Sequence, residues 1–100
     1  MTFTIVWEFI VGDGREAEFE RAYGPDGDWA KLFRQSKDYL GTELLRDATK
    51  PGRYLTVDRW KSGAAYEWFH NSHQTEYGAL DAQCEELTAR ETKLGAFQSL

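Results

Sequence analysis

The residues of this chain best suited to proton-transfer chemistry are its two histidines, His70 and His73, in the segment HNSH. Imidazole titrates close to neutral pH, so it can take up or release a proton under physiological conditions. Trp68 precedes the pair and Tyr77 follows it, which places aromatic and hydrogen-bonding groups beside both histidines. His70 or His73 is therefore a candidate base, or a candidate anchor for the oxygen of a bound molecule. The alternative is a polar turn in which both histidines are only solvated.

Motifs for metals and common cofactors are not found in the sequence. His70 and His73 lie across a predicted helix break and have no third ligand nearby, whereas a zinc site needs three or four protein ligands. No glycine-rich phosphate-binding loop occurs, so we predict no metal site, no flavin and no nicotinamide cofactor. The single cysteine, Cys84, falls on the apolar stripe of its predicted helix, which favours a buried, inert thiol over a nucleophile.

Four segments show the alternation of side chains that is typical of β-strands. They are Phe3–Val11, Tyr39–Asp47, Arg53–Trp60 and Glu91–Gln98. In the third segment, one face carries Tyr54, Thr56, Asp58 and Trp60, and the other face carries Leu55 and Val57. In the second segment, strict alternation places Tyr39 and Thr42 on opposite faces.

Two helical segments, each broken in the middle, separate these strands. The first begins near Asp13, which can cap it together with Glu16, and it resumes near Asp28 after a Gly-Pro pair. The second begins at Ser62, a hydroxyl N-cap, and Ser72 can cap its second half. The order β-α-β-β-α-β predicts an α+β, ferredoxin-like fold with the helices on one face of an antiparallel sheet.

The sheet face away from the helices also carries apolar side chains, among them Val6 and Val57. A second copy of the chain, related by a two-fold axis, is the simplest cover for such a face, so we predict a homodimer through the sheet face. Asp58 and Arg59 are neighbours in mid-strand and are interpreted as a salt-bridged pair at that interface, with a cavity wall as the alternative. Glu43 is a further candidate for ion pairs across neighbouring strands.

Length and charge restrict the kinds of partner. One hundred residues predict a single domain, residues 1–100, and the net charge of −5 comes without a basic run, so nucleic acid is a poor partner. No apolar run approaches the ~20 residues of a membrane span. Glu8 interrupts the apolar N-terminal segment, unlike a signal peptide, and we expect a cytoplasmic location. The 15 aromatic residues, four of them tryptophan, indicate a lined pocket, an oligomer interface or a core filled with large rings.

Four stretches of the chain resemble one protein family. The motif RYLTVDRWKS with the aromatic helix after it, the segments YGPDGDWAKLF and YLGTELLRD, and WEF in the first strand resemble the antibiotic biosynthesis monooxygenase (ABM) family over nearly the whole chain. The resemblance implies the dimeric α+β barrel, in which two ferredoxin-like sheets pack face to face. It says less about activity, because the family includes cofactor-independent monooxygenases, heme-degrading enzymes and isomerases.

The heme-degrading branch of that family can be compared with this chain residue by residue. That branch uses an asparagine on the first strand, a tryptophan on the helix after the third strand and a histidine further along. Trp68 falls where the tryptophan is expected, but Trp7 stands at the asparagine position and Gly78 at about the histidine position. Two of the three roles are missing, which argues against heme degradation.

The resemblance implies instead an oxygenase without a cofactor, acting on a small aromatic or quinol-type molecule in a cavity between sheet and helices. Such chemistry needs an apolar cavity, an anchor for the substrate oxygen and a base. His70 and His73 are the candidate catalytic residues. The candidate substrate-binding residues are Trp7, Trp29, Phe33, Trp68 and Tyr77. Two alternatives stay open: a dimer of the same fold that only binds a small molecule, and a core that the rings fill completely.

Overall fold

The four alternating segments form one antiparallel sheet in the computed structural model, which describes residues 2–100. The strands are β1 (Phe3–Val11), β2 (Tyr39–Arg46), β3 (Arg53–Trp60) and β4 (Thr88–Gln98). They lie in the order β2-β3-β1-β4, so β3 and β1 occupy the centre of the sheet. The predicted bounds are confirmed to within one residue for the first three strands, whereas β4 begins three residues earlier than predicted.

Both helical segments are broken in two, as predicted. The helices are α1 (Glu16–Tyr23), α2 (Asp28–Phe33), α3 (Gly63–Ser72) and α4 (Gln74–Cys84), and a short 3-10 helix (Glu85–Leu87) leads into β4. The order of elements and the antiparallel sheet match the ferredoxin-like arrangement, so the predicted α+β fold is confirmed. Within residues 2–100, no helix combines the length and the hydrophobicity that crossing a bilayer requires.

The helix caps follow the sequence only in part. Ser62 caps α3 as predicted, because its hydroxyl accepts a hydrogen bond from the backbone N–H of Ala65 at 3.1 Å. The predicted cap at Asp13 is wrong: α1 begins later, and its N-cap residue Arg15 makes no side-chain cap bond. Ser72 does not cap α4 either, since its hydroxyl donates to the carbonyl of Trp68 within α3. A serine in a last helical turn can bond the carbonyl four residues back, which competes with capping.

The core lies between the helices and the helix-facing side of the sheet. At its centre are Trp60 and Phe69, both 0% exposed, with ring centroids 5.3 Å apart. The ring of Phe33 lies 5.5 Å from that of Trp60 and 5.9 Å from that of Phe69. Aromatic pairs at these distances add to the hydrophobic gain from burying the rings. The sheet and both pairs of helices are therefore held together by aromatic contacts.

A β-bulge in β2 decides which side chains of that strand face the helices. Tyr39 and Gly41 pair with consecutive residues of β3, so Leu40 is an extra residue between them. Gly41 adopts φ +139°, which L side chains rarely adopt. The extra residue brings Tyr39 and Thr42 to the same side, with their hydroxyl oxygens 2.5 Å apart. The expectation of strict alternation is wrong at this point.

The opposite side of the sheet is called here the open face, and it carries an apolar stripe. Val6 pairs with Val57 across β1 and β3, and Leu45 pairs with Leu55 across β2 and β3. Phe97 of β4 lies beside the stripe and is 52% exposed. No element among residues 2–100 packs over these side chains, because all four helices lie on the other side of the sheet.

The predicted pair of Asp58 and Arg59 is wrong. Consecutive residues of a strand point to opposite faces, so the two side chains lie on opposite sides of β3. Arg59 is on the open face, where its Nη2 lies 3.3 Å from the carboxylate of Glu43, an ion pair between neighbouring strands as expected for Glu43. Asp58 faces the helices and bonds to Thr42.

Candidate functional site

A cavity of about 360 Å³ lies between the helix-facing side of the sheet and the helices. Its aromatic lining consists of Trp7, Phe9, Tyr23, Trp29, Phe33, Tyr66 and Tyr77. A volume of several hundred Å³ with apolar walls is typical of a small-molecule site. The alternative of a core that the rings fill completely is therefore wrong.

The periodicity of the elements brings the lining residues together. On the helices they come in pairs four residues apart, which share one helix face: Trp29 and Phe33, Tyr66 and His70, Tyr77 and Asp81. On the strands they come in pairs two residues apart, which share one sheet face: Trp7 and Phe9, Thr56 and Asp58, Glu91 and Lys93. Three helices and three strands thus each direct one pair of side chains into the same space, and Tyr23 of α1 and Thr42 of β2 complete the lining.

Four of the five predicted substrate-binding residues line this cavity: Trp7, Trp29, Phe33 and Tyr77. The ring of Trp29 lies 4.9 Å from that of Tyr77 and 5.9 Å from that of Phe33, so the three form one wall. Trp68 does not belong to the lining, and its side chain is 68% exposed on α3. It is next to Phe69, which points to the core, so the helical turn directs it outward.

The two predicted catalytic histidines have different surroundings. His70 lines the cavity, and its ring lies 4.4 Å from that of Tyr77 and 5.9 Å from that of Tyr66. The ring of His73 instead stacks on that of Phe69 at 4.1 Å, and its Nδ1 lies 3.0 Å from the Phe69 carbonyl oxygen. His73 is not part of the cavity lining. The structure brings together His70 and the aromatic wall, but not His73.

Two phenols beside His70 stay protonated at neutral pH. Burial raises the pKa of Tyr77, and the nearby hydroxyl of Tyr66 raises it further. Burial also raises the pKa of Tyr66. Because a neutral phenol is a hydrogen-bond donor, Tyr66 and Tyr77 can stabilise negative charge on the oxygen of a bound molecule.

Asp58 is a polar residue of the cavity that the sequence-based interpretation assigned to the wrong surface. Its Oδ1 accepts a hydrogen bond from Thr42 Oγ1 at 2.5 Å. Burial raises the pKa of the Asp58 carboxyl to about 6, and the bond from Thr42 acts in the opposite direction. A signal for this position was available, because alternation places Asp58 on the face of Tyr54 and Trp60, two of the most buried rings.

The other end of the cavity is also polar, which was not predicted from the sequence. Asp81 of α4 and Glu91 and Lys93 of β4 line it. Burial raises the pKa of Glu91, and the nearby carboxyl of Asp81 adds to that effect. Glu91 and Lys93 lie within the strand that was predicted from Glu91 onward, but nothing in the sequence showed that their side chains line a cavity.

Within residues 2–100, no group of three or more His, Cys, Asp or Glu side chains is arranged to hold a metal ion. Cys84 is buried as predicted, and burial raises the pKa of its thiol, which keeps it protonated.

The family model for antibiotic biosynthesis monooxygenases matches residues 2–79. The chain belongs to the antibiotic biosynthesis monooxygenase family. The predicted resemblance is therefore confirmed. The matched residues contain β1 to β3, the helices α1 to α3 and the start of α4, so they include His70 and Asp58 but not Glu91. No curated protein matches the chain.

Solved structures support the fold of this ABM family member. A variant of SnoaB from Streptomyces nogalater, a cofactor-independent oxygenase, is 21% identical with a TM-score of 0.80, over 98% of this chain and 92% of that one. Rv0793 from Mycobacterium tuberculosis is 16% identical with a TM-score of 0.72, over 100% of this chain and 96% of that one. At these identities the likeness concerns the fold and leaves the substrate open.

Proposed function

We propose that this ABM protein is a cofactor-independent monooxygenase that acts on a small aromatic molecule of the quinol type. The observation that carries the proposal is the cavity of about 360 Å³, which has aromatic walls and a small number of polar groups at its two ends. This combination suits a planar apolar ring with one or two oxygen substituents. Membership of the ABM family and the fold likeness to a cofactor-independent oxygenase support the same reaction class.

The reaction converts a ring carbon that carries hydrogen into a carbonyl. Loss of one proton leaves an electron-rich anion, which transfers electrons to dioxygen and forms a carbon–oxygen bond. After protonation the product of this step is a hydroperoxide. Its oxygen–oxygen bond then breaks as the second hydrogen leaves the carbon as a proton, which gives the carbonyl and one water. One oxygen atom enters the product, the other enters water, and dioxygen is the only oxidant.

His70 and Tyr77 are the side chains that we assign to the substrate oxygen. Their rings are 4.4 Å apart, and both groups can donate a hydrogen bond to one oxygen. Negative charge grows on that oxygen when the substrate loses its proton, so donors at this place lower the barrier. Trp7, Trp29 and Phe33 hold the apolar ring. A catalytic role for His73 stays a prediction from the sequence, and its contact with Phe69 supports that role less.

Oxygen uptake tests the proposed function. Purified protein is mixed with a panel of dihydroxynaphthalenes and anthrones without added flavin or metal, and oxygen consumption is compared with the autoxidation blank. Saturable uptake above the blank supports the proposal. No uptake, together with quenching of tryptophan fluorescence by the same compounds, would point instead to a non-catalytic binding dimer.

Replacement of each histidine by alanine separates the two candidates. We expect His70→Ala to lower kcat at least about 100-fold, since a well-placed donor or base contributes a factor of about 10²–10⁴. His73→Ala is the matched control, and we expect less than a threefold change in kcat. Steady-state oxygen uptake measures both. A larger loss for His73→Ala than for His70→Ala would contradict these roles.

A homodimer through the open face is the second part of the proposal. The apolar stripe of Val6, Leu45, Leu55 and Val57 runs across β1, β3 and β2, and ion pairs such as Arg59–Glu43 border it. Obligate interfaces have this pattern of an apolar centre with polar groups around it. A copy of the same face is self-complementary about a two-fold axis.

Light scattering tests the dimer directly. We expect the wild-type chain to have twice the mass of 11.5 kDa, and Val57→Lys to have 11.5 kDa at the same concentration. A lysine at this place would bury an unpaired charge, which weakens association at least about 100-fold. Glu67→Lys, which adds the same side chain at an exposed position of α3, should stay dimeric. A wild-type mass of 11.5 kDa would exclude the dimer.

A further inference from the structure

Asp58 presents one carboxylate oxygen to the cavity. Its Oδ1 is bonded to Thr42, whereas Oδ2 has no hydrogen-bond partner among residues 2–100 and keeps access to the cavity space. The phenols of Tyr66 and Tyr77 lie near enough to Asp58 for its charge to raise the pKa of both. Asp58 is therefore at the same end of the cavity as the donors assigned to the substrate oxygen.

Two hydroxyl groups in series fix the orientation of this carboxylate. Thr42 has one hydroxyl hydrogen, which it donates to Asp58 Oδ1. The hydroxyl of Tyr39, 2.5 Å from Thr42 Oγ1, must then donate its own hydrogen to Thr42. Both contacts depend on the β-bulge at Leu40, which brings Tyr39 and Thr42 to the helix-facing side. The carboxylate is held by one oxygen, and the other oxygen is left for a ligand.

We propose that Asp58 is the base that removes the hydroxyl proton of the substrate, and that the substrate is a neutral phenol or quinol. This inference rests on the proposed oxygenase function. The proton moves from the substrate hydroxyl to Asp58 Oδ2, and the electron pair of the O–H bond stays on the substrate oxygen. The resulting anion reacts with dioxygen as described above, and Asp58 returns its proton to the peroxide.

The strength of this base suits the task. Burial raises the pKa of Asp58 to about 6 from the ordinary value of 3.8. The carboxyl is thus ionised at neutral pH but accepts a proton more readily than an exposed aspartate does. Activity that depends on the ionised form should rise as the pH increases through about 6.

The three phenols around Asp58 cannot act as this base near pH 6. Tyr39 on β2, Tyr66 on α3 and Tyr77 on α4 all have a pKa raised by burial, so they stay protonated near pH 6. His70 on α3 is the remaining titratable group at this end, and its own variant serves as a control below.

The charged groups of β4 are further away along the sheet. Asp58 pairs with Ile5 of β1. Lys93 pairs with Trp7, two residues further along β1, and Glu91 pairs with Phe9, four residues further along. Asp81 lies near Glu91. Three carboxyl groups and one lysine therefore line the whole cavity, a balance that disfavours an anionic ligand. A neutral hydroxyl-bearing ring fits both this balance and the carboxylate acceptor.

The activity test uses the Asp58→Asn variant, whose amide keeps the shape of the side chain but cannot take up a proton. We expect kcat for a dihydroxynaphthalene to fall at least about 100-fold at pH 7 and the rise in kcat through about pH 6 to disappear. Near pH 10 a phenol is itself ionised, so the deficit of the variant should shrink below about tenfold. Glu67→Gln, which removes an exposed carboxylate on α3, should keep kcat and its pH profile. Turnover of Asp58→Asn within threefold of wild type at pH 7 would overturn the proposal.

A binding measurement separates failure of this role from failure of the proposed function. Fluorescence quenching by 1-naphthol, which requires no turnover, gives Kd at pH 5 and pH 7. We expect binding to tighten with increasing pH in the wild type and in His70→Gln, and to be independent of pH in Asp58→Asn. The same pH dependence in wild type and Asp58→Asn would overturn the role of Asp58, even where oxygen uptake establishes the oxygenase. If no oxygen is consumed but Kd shows the expected pH dependence, the oxygenase function would be overturned, whereas Asp58 would still be the acceptor for the hydroxyl group of the ligand. No binding of 1-naphthol by the wild type would overturn both.

Discussion

Asp58→Asn should be more stable than the wild-type chain at pH 8, by about 2 kcal/mol in the free energy of unfolding. The reason is the cost of keeping a carboxylate charged inside the cavity. Burial raises the pKa of Asp58 to about 6, whereas 3.8 is its ordinary value in an unfolded chain. That difference corresponds to about 3 kcal/mol against the folded state once the group is ionised in both states. Burying the amide of asparagine offsets about 1 kcal/mol of the gain.

The pH dependence of this effect has a definite direction. Between about pH 4 and pH 6 the folded wild type still holds the Asp58 proton, and the unfolded chain has already lost it. The contribution of Asp58 to wild-type stability is therefore fully present below pH 4 and is lost as the pH rises through 6. Asp58→Asn lacks this decrease, so at pH 4 it should be less stable than the wild type by about 1 kcal/mol, the cost of burying the amide.

Urea denaturation at pH 4, 6 and 8 measures the difference between the two proteins. Other groups, such as Asp47, change the stability of both proteins equally, so their contributions cancel in this difference. The pKa of Asp47 is lowered by hydrogen bonds from the backbone of Thr49, then from Arg53 and Lys50. Asp58→Gly would be an unsuitable comparison because it also weakens the strand. A variant that is less stable than wild type at pH 8 would contradict the buried charge.

Trp60→Ala should lower the free energy of unfolding by about 3–5 kcal/mol, the largest loss expected from one substitution in this chain. The indole is 0% exposed, and the rings of Phe33, Tyr39, Tyr66 and Phe69 surround it at centroid distances of 5.3–5.5 Å. Its removal leaves a cavity that neighbours from three elements cannot all close. A loss of this size takes up much of the ~5–15 kcal/mol that stabilises a small domain.

Trp68→Ala is the matched control for that experiment. It removes the same side chain from a position that is 68% exposed, and we expect a change within about 0.5 kcal/mol. Circular dichroism during urea denaturation gives both values. Equal losses for the two variants would contradict the central role of Trp60 in the core. If Trp60→Ala is mostly unfolded at 25 °C, the free energies of unfolding of both variants can be measured at a lower temperature instead.

The sequence predicted the elements well where local signals agree with tertiary packing. Alternation located β1, β2 and β3, and Ser62 marked the start of α3, because a hydroxyl cap acts within one turn. The bulge at Leu40 was missed, since an extra residue changes the strand register without a change in composition. Because the bulge was not predicted, the contact between Tyr39 and Thr42 was not predicted either.

The aromatic lining of the candidate site was predicted from the sequence more completely than its polar groups were. Trp29 and Phe33 followed from their helical spacing and the family resemblance. Asp58 was assigned to the interface because its neighbour Arg59 offered an opposite charge, although alternation separates the two side chains. The contrast between His70 and His73 depends on where α3 ends, and no composition signal fixes that point. The dimer and the cytoplasmic location stay predictions.

The placement of the four tryptophans gives the protein a built-in set of optical reporters. Trp60 is enclosed by the core and Trp68 is in water, while Trp7 and Trp29 line the cavity. Indole emission shifts to longer wavelength with solvent contact, so Trp68 should dominate the red edge of the spectrum. An aqueous quencher such as iodide reaches Trp68 first, whereas a bound aromatic molecule would dim the emission of Trp7 and Trp29. A single emission spectrum can thus distinguish binding in the cavity from a change in solvent contact on the outer surface of α3.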